Sequence, residues 1–197
     1  MLRRGMMASS TQAYSYWNPS DKSSAAALSD SNKVVTSTAS ATSWVRSVTS
    51  KNSGKWRVQF VDTNHIDTIG FGFSTSGSIG SYLGGTAAGW CLYGNYTTAV
   101  RMYNNNVYTS YTSTLATNDV IDLLLDIDAG KAWWRKNGTA ISGDPVAGTG
   151  AMATFTPGTT LFIAADPYVN ASALRLRTNP SEMTGPSVSG FTDGWPN

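Results

Sequence analysis

Few residues in this chain are of types that do chemistry, and their spacing narrows what they can do. Glu182 is the only glutamate and His65 the only histidine in 197 residues. Glycoside hydrolysis ordinarily needs two acids flanking one cleft. Glu182 lies close to the C-terminus, while Asp122 and Asp126 are embedded in an apolar run, where structural hydrogen bonding at the edge of a sheet is expected. A Ser-His-Asp triad would have to use His65. That residue sits in Asp62-Thr63-Asn64-His65-Ile66-Asp67, a turn between strands with no Gly-x-Ser-x-Gly elbow, and reads as a solvated loop histidine. Asp126, Asp128 and Gly130 resemble the start of a calcium loop, since alternate carboxylates converge on a hard cation, but the other ligands and the distal Glu are missing. Cys91, the lone cysteine, is flanked by Trp90 and Leu92; it reads as a small buried hydrophobe and leaves no internal disulfide. Residues 77–85 carry glycines without the Lys-Ser/Thr of a phosphate loop. Asn-x-Ser/Thr sequences at Asn95, Asn137 and Asn170 arise by chance in a chain so rich in Asn and Thr. No catalytic residue, metal site or cofactor is expected.

What remains is aromatic. Tyrosine buries a large area at little entropic cost and keeps a polar tip, so it favours binding surfaces. Tyr82, Tyr96, Arg101, Tyr103, Tyr108 and Tyr111 fall in two polar stretches, 74–89 and 94–117, and form the candidate binding surface. The competing reading is that several of them only cover the core.

These side chains must be positioned by strands. Residues 118–138 set the pattern: Val120 to Ile127 is a short apolar run bounded by turn residues, hence a buried strand. The chain reverses at Asp128-Ala129-Gly130-Lys131, returns through Trp133 and Trp134, and turns again at Asn137-Gly138, where both residues tolerate positive φ. Around this meander, Trp56, Val58 and Phe60 alternate with Lys55, Arg57 and Gln59, and Ile69, Phe71 and Phe73 alternate with Gly70 and Gly72. Glycines on one face of a strand imply close packing, with Trp56 as the residue to fill the space. Further strands are expected at 89–93, on both sides of Asn104-Asn105-Asn106, and at 151–156, 160–165 and 173–177, with short edge strands near Leu28 and Val34. Asn18-Pro19-Ser20-Asp21 reads as a turn. Short strands separated by turn signals, with no helical period, predict an antiparallel two-sheet β-sandwich. Residues 1–13 form an N-terminal arm, 14–178 the sandwich, and 179–197 an irregular tail whose Phe191 and Trp195 dock back on the body.

Charged residues are 13% of the chain, against roughly 25% in an average soluble domain, so solubility rests on Ser, Thr, Asn and Gly. A net charge of +2 without a Lys/Arg stripe argues against nucleic acid. No apolar run is long enough to span a bilayer, and Arg3-Arg4 is followed by no apolar segment of a secretory signal.

Gly54-Lys55-Trp56-Arg57-Val58, Ile69-Gly70-Phe71-Gly72, Gly89-Trp90-Cys91-Leu92-Tyr93, 119–126 and Trp134-Arg135-Lys136-Asn137-Gly138 occur in the order and spacing of SPRY (B30.2-like) domains. The resemblance covers roughly residues 16–178. The opening Trp17-Asn18-Pro19-Ser20-Asp21-Lys22, with Leu28-Ser29, is most similar to SPRY proteins of tailed bacteriophages. It departs from many members at Gln59, where an acidic residue is usual, and at Ala132 and Trp133. The resemblance implies a bent, concanavalin-like β-sandwich that binds protein or peptide partners through loops at one end. The expectation is therefore a non-enzymatic virion component, a capsid decoration or tail-associated module. It would be docked on virion proteins through its terminal arm or tail, with a homo-oligomer as one arrangement, and would recognise a host-surface protein or glycan. The alternatives are a carbohydrate-binding module and an intracellular peptide-binding adaptor.

Overall fold

The computed structural model describes residues 13–94 and 97–197. The expected arm at 1–13 lies outside the described residues except for Ala13, and so does Tyr96. In chain order the strands are β1 (Trp17–Lys22), β2 (Ala26–Ser29), β3 (Val34–Ser37), β4 (Val45–Lys51), β5 (Lys55–Asn64) and β6 (Ile69–Ser74). Then come β7 (Gly89–Gly94), β8 (Val100–Asn104), β9 (Val107–Tyr111), β10 (Val120–Asp126) and β11 (Lys131–Lys136). The last are β12 (Thr139–Ala140), β13 (Ala153–Thr154), β14 (Leu161–Asp166), β15 (Ala173–Arg177) and, after a 3-10 turn at Pro180–Glu182, β16 (Thr192–Asp193).

Among the described residues these make two sheets. The first has seven strands in the order β1-β4-β14-β6-β7-β8-β9; the second has the path β12-β11-β10-β5-β15-β3-β2, with β13 on β11 and β16 on β5. All pairings are antiparallel except β16 on β5. The fold is the expected all-β sandwich. Trp17, Phe60, Phe71, Phe73, Leu123, Leu125, Trp134 and Trp195 fill the space between the sheets.

The two tight hairpins follow from asparagine. Asn105 and Asn106 both have positive φ (51° and 60°) between β8 and β9, as do Asn137 and Gly138 (49° and 84°) between β11 and β12. Two positive φ values in a two-residue loop give the turn whose twist matches the strands on either side.

Several local expectations are corrected. Asn18-Pro19-Ser20-Asp21 is part of β1, an edge strand whose register shifts against β4 between Trp17 and Lys22. Residues 45–51 form β4, which the sequence pattern passes over because its alternation is broken: Val45, Arg46 and Ser47 are consecutively buried. The space beside Gly70 is filled by Tyr93, since a Cβ there would lie 2.3 Å from its ring. Trp56 belongs to the other sheet.

Candidate functional site

The outer faces of both sheets are covered, and they are covered differently. On the second sheet, Arg57 and Gln59 of β5, Asp122 of β10 and Arg135 of β11 point outward at adjoining positions, because Asp122 is opposite both Gln59 and Arg135. They are buried all the same. Asp122 accepts from Arg57 Nε (2.9 Å), Gln59 Nε2 (2.8 Å) and Arg135 Nε (2.8 Å). The C-terminal segment closes over them: Thr184 O accepts from Arg57 and Gln59 (both 2.7 Å), Pro186 O from Arg135 (3.1 Å), and Asp193 from Arg57 (3.1 Å). Phe191 and Val188 pack beside them on Leu124 and Trp133, while Trp195 passes into the core. Asp122 is thus bonded on an interior strand, not at a sheet edge.

On the first sheet the cover is the loop between β6 and β7. Its Ile79 and Leu83 pack on Cys91, Tyr93 and Ala164, with Tyr82 and Tyr103 alongside. Asp166, at the end of β14, pins the loop from below. The buried carboxylate accepts from Ser43 N (2.9 Å) and Oγ (3.2 Å), Leu83 N (3.0 Å) and Tyr93 OH (2.9 Å). Burial raises the pKa of Asp166, and these hydrogen bonds pull it back. Burial also pushes the Tyr93 hydroxyl and the Cys91 thiol well up, so Cys91 stays a protonated, inert thiol.

This cover is tied to the β8–β9 turn, where Thr86 O and Gly84 O accept from Asn105 N (3.1 Å) and Asn106 N (3.0 Å). It stops short of the β7–β8 end and leaves a cavity of about 360 Å³ lined by Thr68, Tyr82, Tyr93, Thr98, Arg101, Tyr103 and Tyr168, among others. Tyr82, Tyr93 and Tyr103 meet edge to face, with centroids 5.7 to 6.0 Å apart. Arg101 is hydrogen-bonded to Tyr103 and sits 4.7 Å above the Tyr108 ring. On the far side Tyr168 has φ of 58°, a strained value for a bulky residue. Its N–H donates to Ser43 Oγ (2.8 Å) and its carbonyl accepts from Ala41 N (3.1 Å), which hold the strain in place at the cavity wall.

Of the residues singled out in the sequence, Tyr82, Arg101 and Tyr103 line this cavity. Tyr108 extends it, its ring tilted against that of Tyr103 with centroids 5.0 Å apart. Tyr111 is set apart, packed against the inter-sheet core. The sequence pattern missed Tyr93, Tyr168 and Thr68. Gly70 was the available signal for Tyr93, since a bare glycine face needs a ring from the next strand. Tyr168 left none, because its position depends on a backbone strain that only the tertiary bonds impose.

The remaining chemistry-bearing groups serve the fold. His65 is buried, not solvated: Nδ1 meets Asp62, and Nε2 lies 2.6 Å from Asp67 O. With both nitrogens engaged the ring cannot take a substrate's proton. Asp126 pairs with Lys55 (2.8 Å) and Asp128 accepts from Gly54 N (2.9 Å), so the two carboxylates diverge into structural bonds.

No family model matches the chain, and no curated protein matches it. Solved structures do. The SPRY domain of human HERC1 has a TM-score of 0.65 at 15% identity, over 85% of this chain and 99% of that one. The PSpry domain of TRIM65 gives 0.62 at 12% identity, over 84% and 90%. At these identities the shared property is the fold, a SPRY-type β-sandwich.

Proposed function

We propose that this SPRY-type sandwich is a protein-recognition module whose ligand, a peptide segment with an anionic group beside an apolar or aromatic side chain, enters the tyrosine-lined cavity. The observation that carries it is the cavity itself: concave, with four tyrosines in its lining and Arg101 at its rim. Rigid tyrosines supply area, and an arginine fork recognises a carboxylate. A sugar fits less well. Among the described residues the lining has no Asp, Glu, Asn or Gln to bond hydroxyls, and Tyr82, Tyr93 and Tyr103 meet edge to face instead of offering one flat platform.

The resemblance to SPRY domains, which bind through loops at one end, supports the same reading. The phage-like opening at Trp17-Asn18-Pro19-Ser20-Asp21-Lys22 and the low charge extend the proposal to a virion setting, with the partner a virion or host-surface protein. Particles purified without this chain would remove that extension and leave the recognition role standing.

The test is selection of a random peptide library on the wild-type protein, with counter-selection on Tyr103→Ala. Enriched peptides should share an acidic and an apolar position and lose at least tenfold in affinity on Tyr103→Ala or Arg101→Ala, the size expected of a buried aromatic or arginine contact. A library that yields nothing, or binders indifferent to both variants, would overturn it; a positive glycan array with the same sensitivity would replace it with the carbohydrate reading.

A further inference from the structure

A sheet edge exposes backbone donors and acceptors, and proteins ordinarily blunt it with bulges, prolines, charges or brevity. Three outer strands here are protected in those ways. The strand β1 carries Pro19, Asp21, Lys22 and an irregular register. At one side of the second sheet β12 has two residues, and at the other β2 has four and runs into Asp30, which is paired with Arg175.

The fourth is different. Val107-Tyr108-Thr109-Ser110-Tyr111 of β9 has no charge, no proline and an unbroken five-residue register with β8. No described strand lies on its other side. Residues 107–110 are all exposed, Val107 at 70% and Tyr108 at 49%.

The register says what can pair there. Asn104 and Val107 flank a two-residue turn, so they are the first hydrogen-bonded pair, and bonding then alternates along the strand. The N–H of Val100 accordingly points toward β9, where it donates to Ser113 O at 2.8 Å. The N–H and C=O groups of Tyr108 and Ser110 therefore face outward. Two copies of β9 laid antiparallel about Thr109 bring Tyr108 of one opposite Ser110 of the other, the two residues whose groups are free to bond. Thr109 then meets Thr109, and Val107 meets Tyr111. These are β-branched and aromatic pairs with no like charges in register, the kind that stabilise cross-strand contact.

We propose that β9 pairs with β9 of a second copy of this chain, joining two first sheets into one continuous sheet about a two-fold axis at Thr109. The pairing does not depend on what the cavity holds. It would place two cavities on one face of the joined sheet, because Arg101 and Tyr103 of β8 are opposite Ser110 and Tyr108. A weak ligand would then be held by two sites at once.

The experiment is sedimentation velocity on the full chain at rising concentration, up to about 0.5 mM because a single strand pair is a small interface. Wild-type protein should dimerise. Thr109→Lys and Thr109→Glu place like charges across the axis and should each weaken dimerisation by about tenfold or more. Mixing the two variants should restore it, which a merely unfolded variant would not do. Ser110→Pro, which removes only an outward N–H, should weaken it likewise. A wild-type chain that stays monomeric, a dimer unmoved by Thr109→Lys, or a mixture that fails to recover would overturn the proposal.

Discussion

The two covered faces of this sandwich use opposite means. Over the second sheet, the C-terminal segment seals a carboxylate between two guanidinium groups, and nearly every donor there finds a protein acceptor. Over the first sheet the cover is apolar and aromatic, held by scattered bonds from Asp166, Arg46 and the β8–β9 turn, and it leaves about 360 Å³ open at one end. The difference shows which face is for stability. Buried charges bonded on every side tolerate no exchange of partners, whereas tyrosines meeting edge to face can take a ligand without losing hydrogen bonds to one another.

The sharpest way to break this contrast is Asp122→Ala. It leaves Arg57 and Arg135 buried without their shared anion, and removing one member of such a group costs about 3–5 kcal/mol. Urea denaturation should show a loss of that size, with the C-terminal segment freed to early proteolysis. A loss under about 1 kcal/mol, the range of a solvated pair, would mean that water already reaches the network and that the face is not sealed.

Next is Gly70→Ala on the other face. The new Cβ would overlap the Tyr93 ring, which cannot swing away without giving up its bond to Asp166. Overpacking of this kind costs about 1–3 kcal/mol. Because Tyr93 also lines the cavity, the variant should weaken peptide binding even where it remains folded, as titration calorimetry below its unfolding range would read.

How far the sequence foretold these faces depends on where each residue's partner lies. Strand alternation and the Asn137-Gly138 and Asn105-Asn106 turns are local, so the sandwich and most of its strands were legible. Arg57 and Gln59 read only as the face opposite Trp56, Val58 and Phe60, because nothing near them in sequence discloses a cover more than a hundred residues away, at Thr184. His65 looked solvated because its turn is polar; its ring partner Asp62 is local but buried with it, and only Thr117, which accepts from the His65 backbone N–H, is distant in sequence. The tyrosine-rich stretches grouped Tyr82, Arg101 and Tyr103, which line one cavity. They could not separate these from Tyr111, the one half-buried residue of β9, whose contact with the inter-sheet core is made only at the end of the strand.

His65 gives a smaller, pH-dependent effect that belongs to neither cover. Burial lowers its pKa, but the hydrogen bond and charge of Asp62, with Asp67 behind, outweigh that and raise it above its ordinary 6.5. A raised folded-state value means stabilisation that is complete below the unfolded value and lost as pH rises through the folded one. The stability gap between wild type and His65→Gln should therefore be widest in mild acid and narrow above neutrality. Thermal melts at about pH 5.5, 7 and 8.5, spanning the range in which histidine titrates, would show it, and a gap that widened with pH would reverse the assignment.

The smallest expected effect on stability is the most telling for function. Tyr108→Ala removes a half-exposed ring that packs on Tyr103 and lies under Arg101 at the open rim. Because its removal opens no cavity in the core, the cost should stay below about 1 kcal/mol. Peptide affinity should nevertheless fall, because Arg101 is left without the ring beneath it and is held over the cavity by its bond to Tyr103 alone. Tyr108→Phe keeps that ring and should bind as wild type does. If Tyr108→Ala instead destabilised the protein as much as Gly70→Ala, the rim would be part of the packed cover, and the division into a sealed face and an open one would fail where the two should differ most.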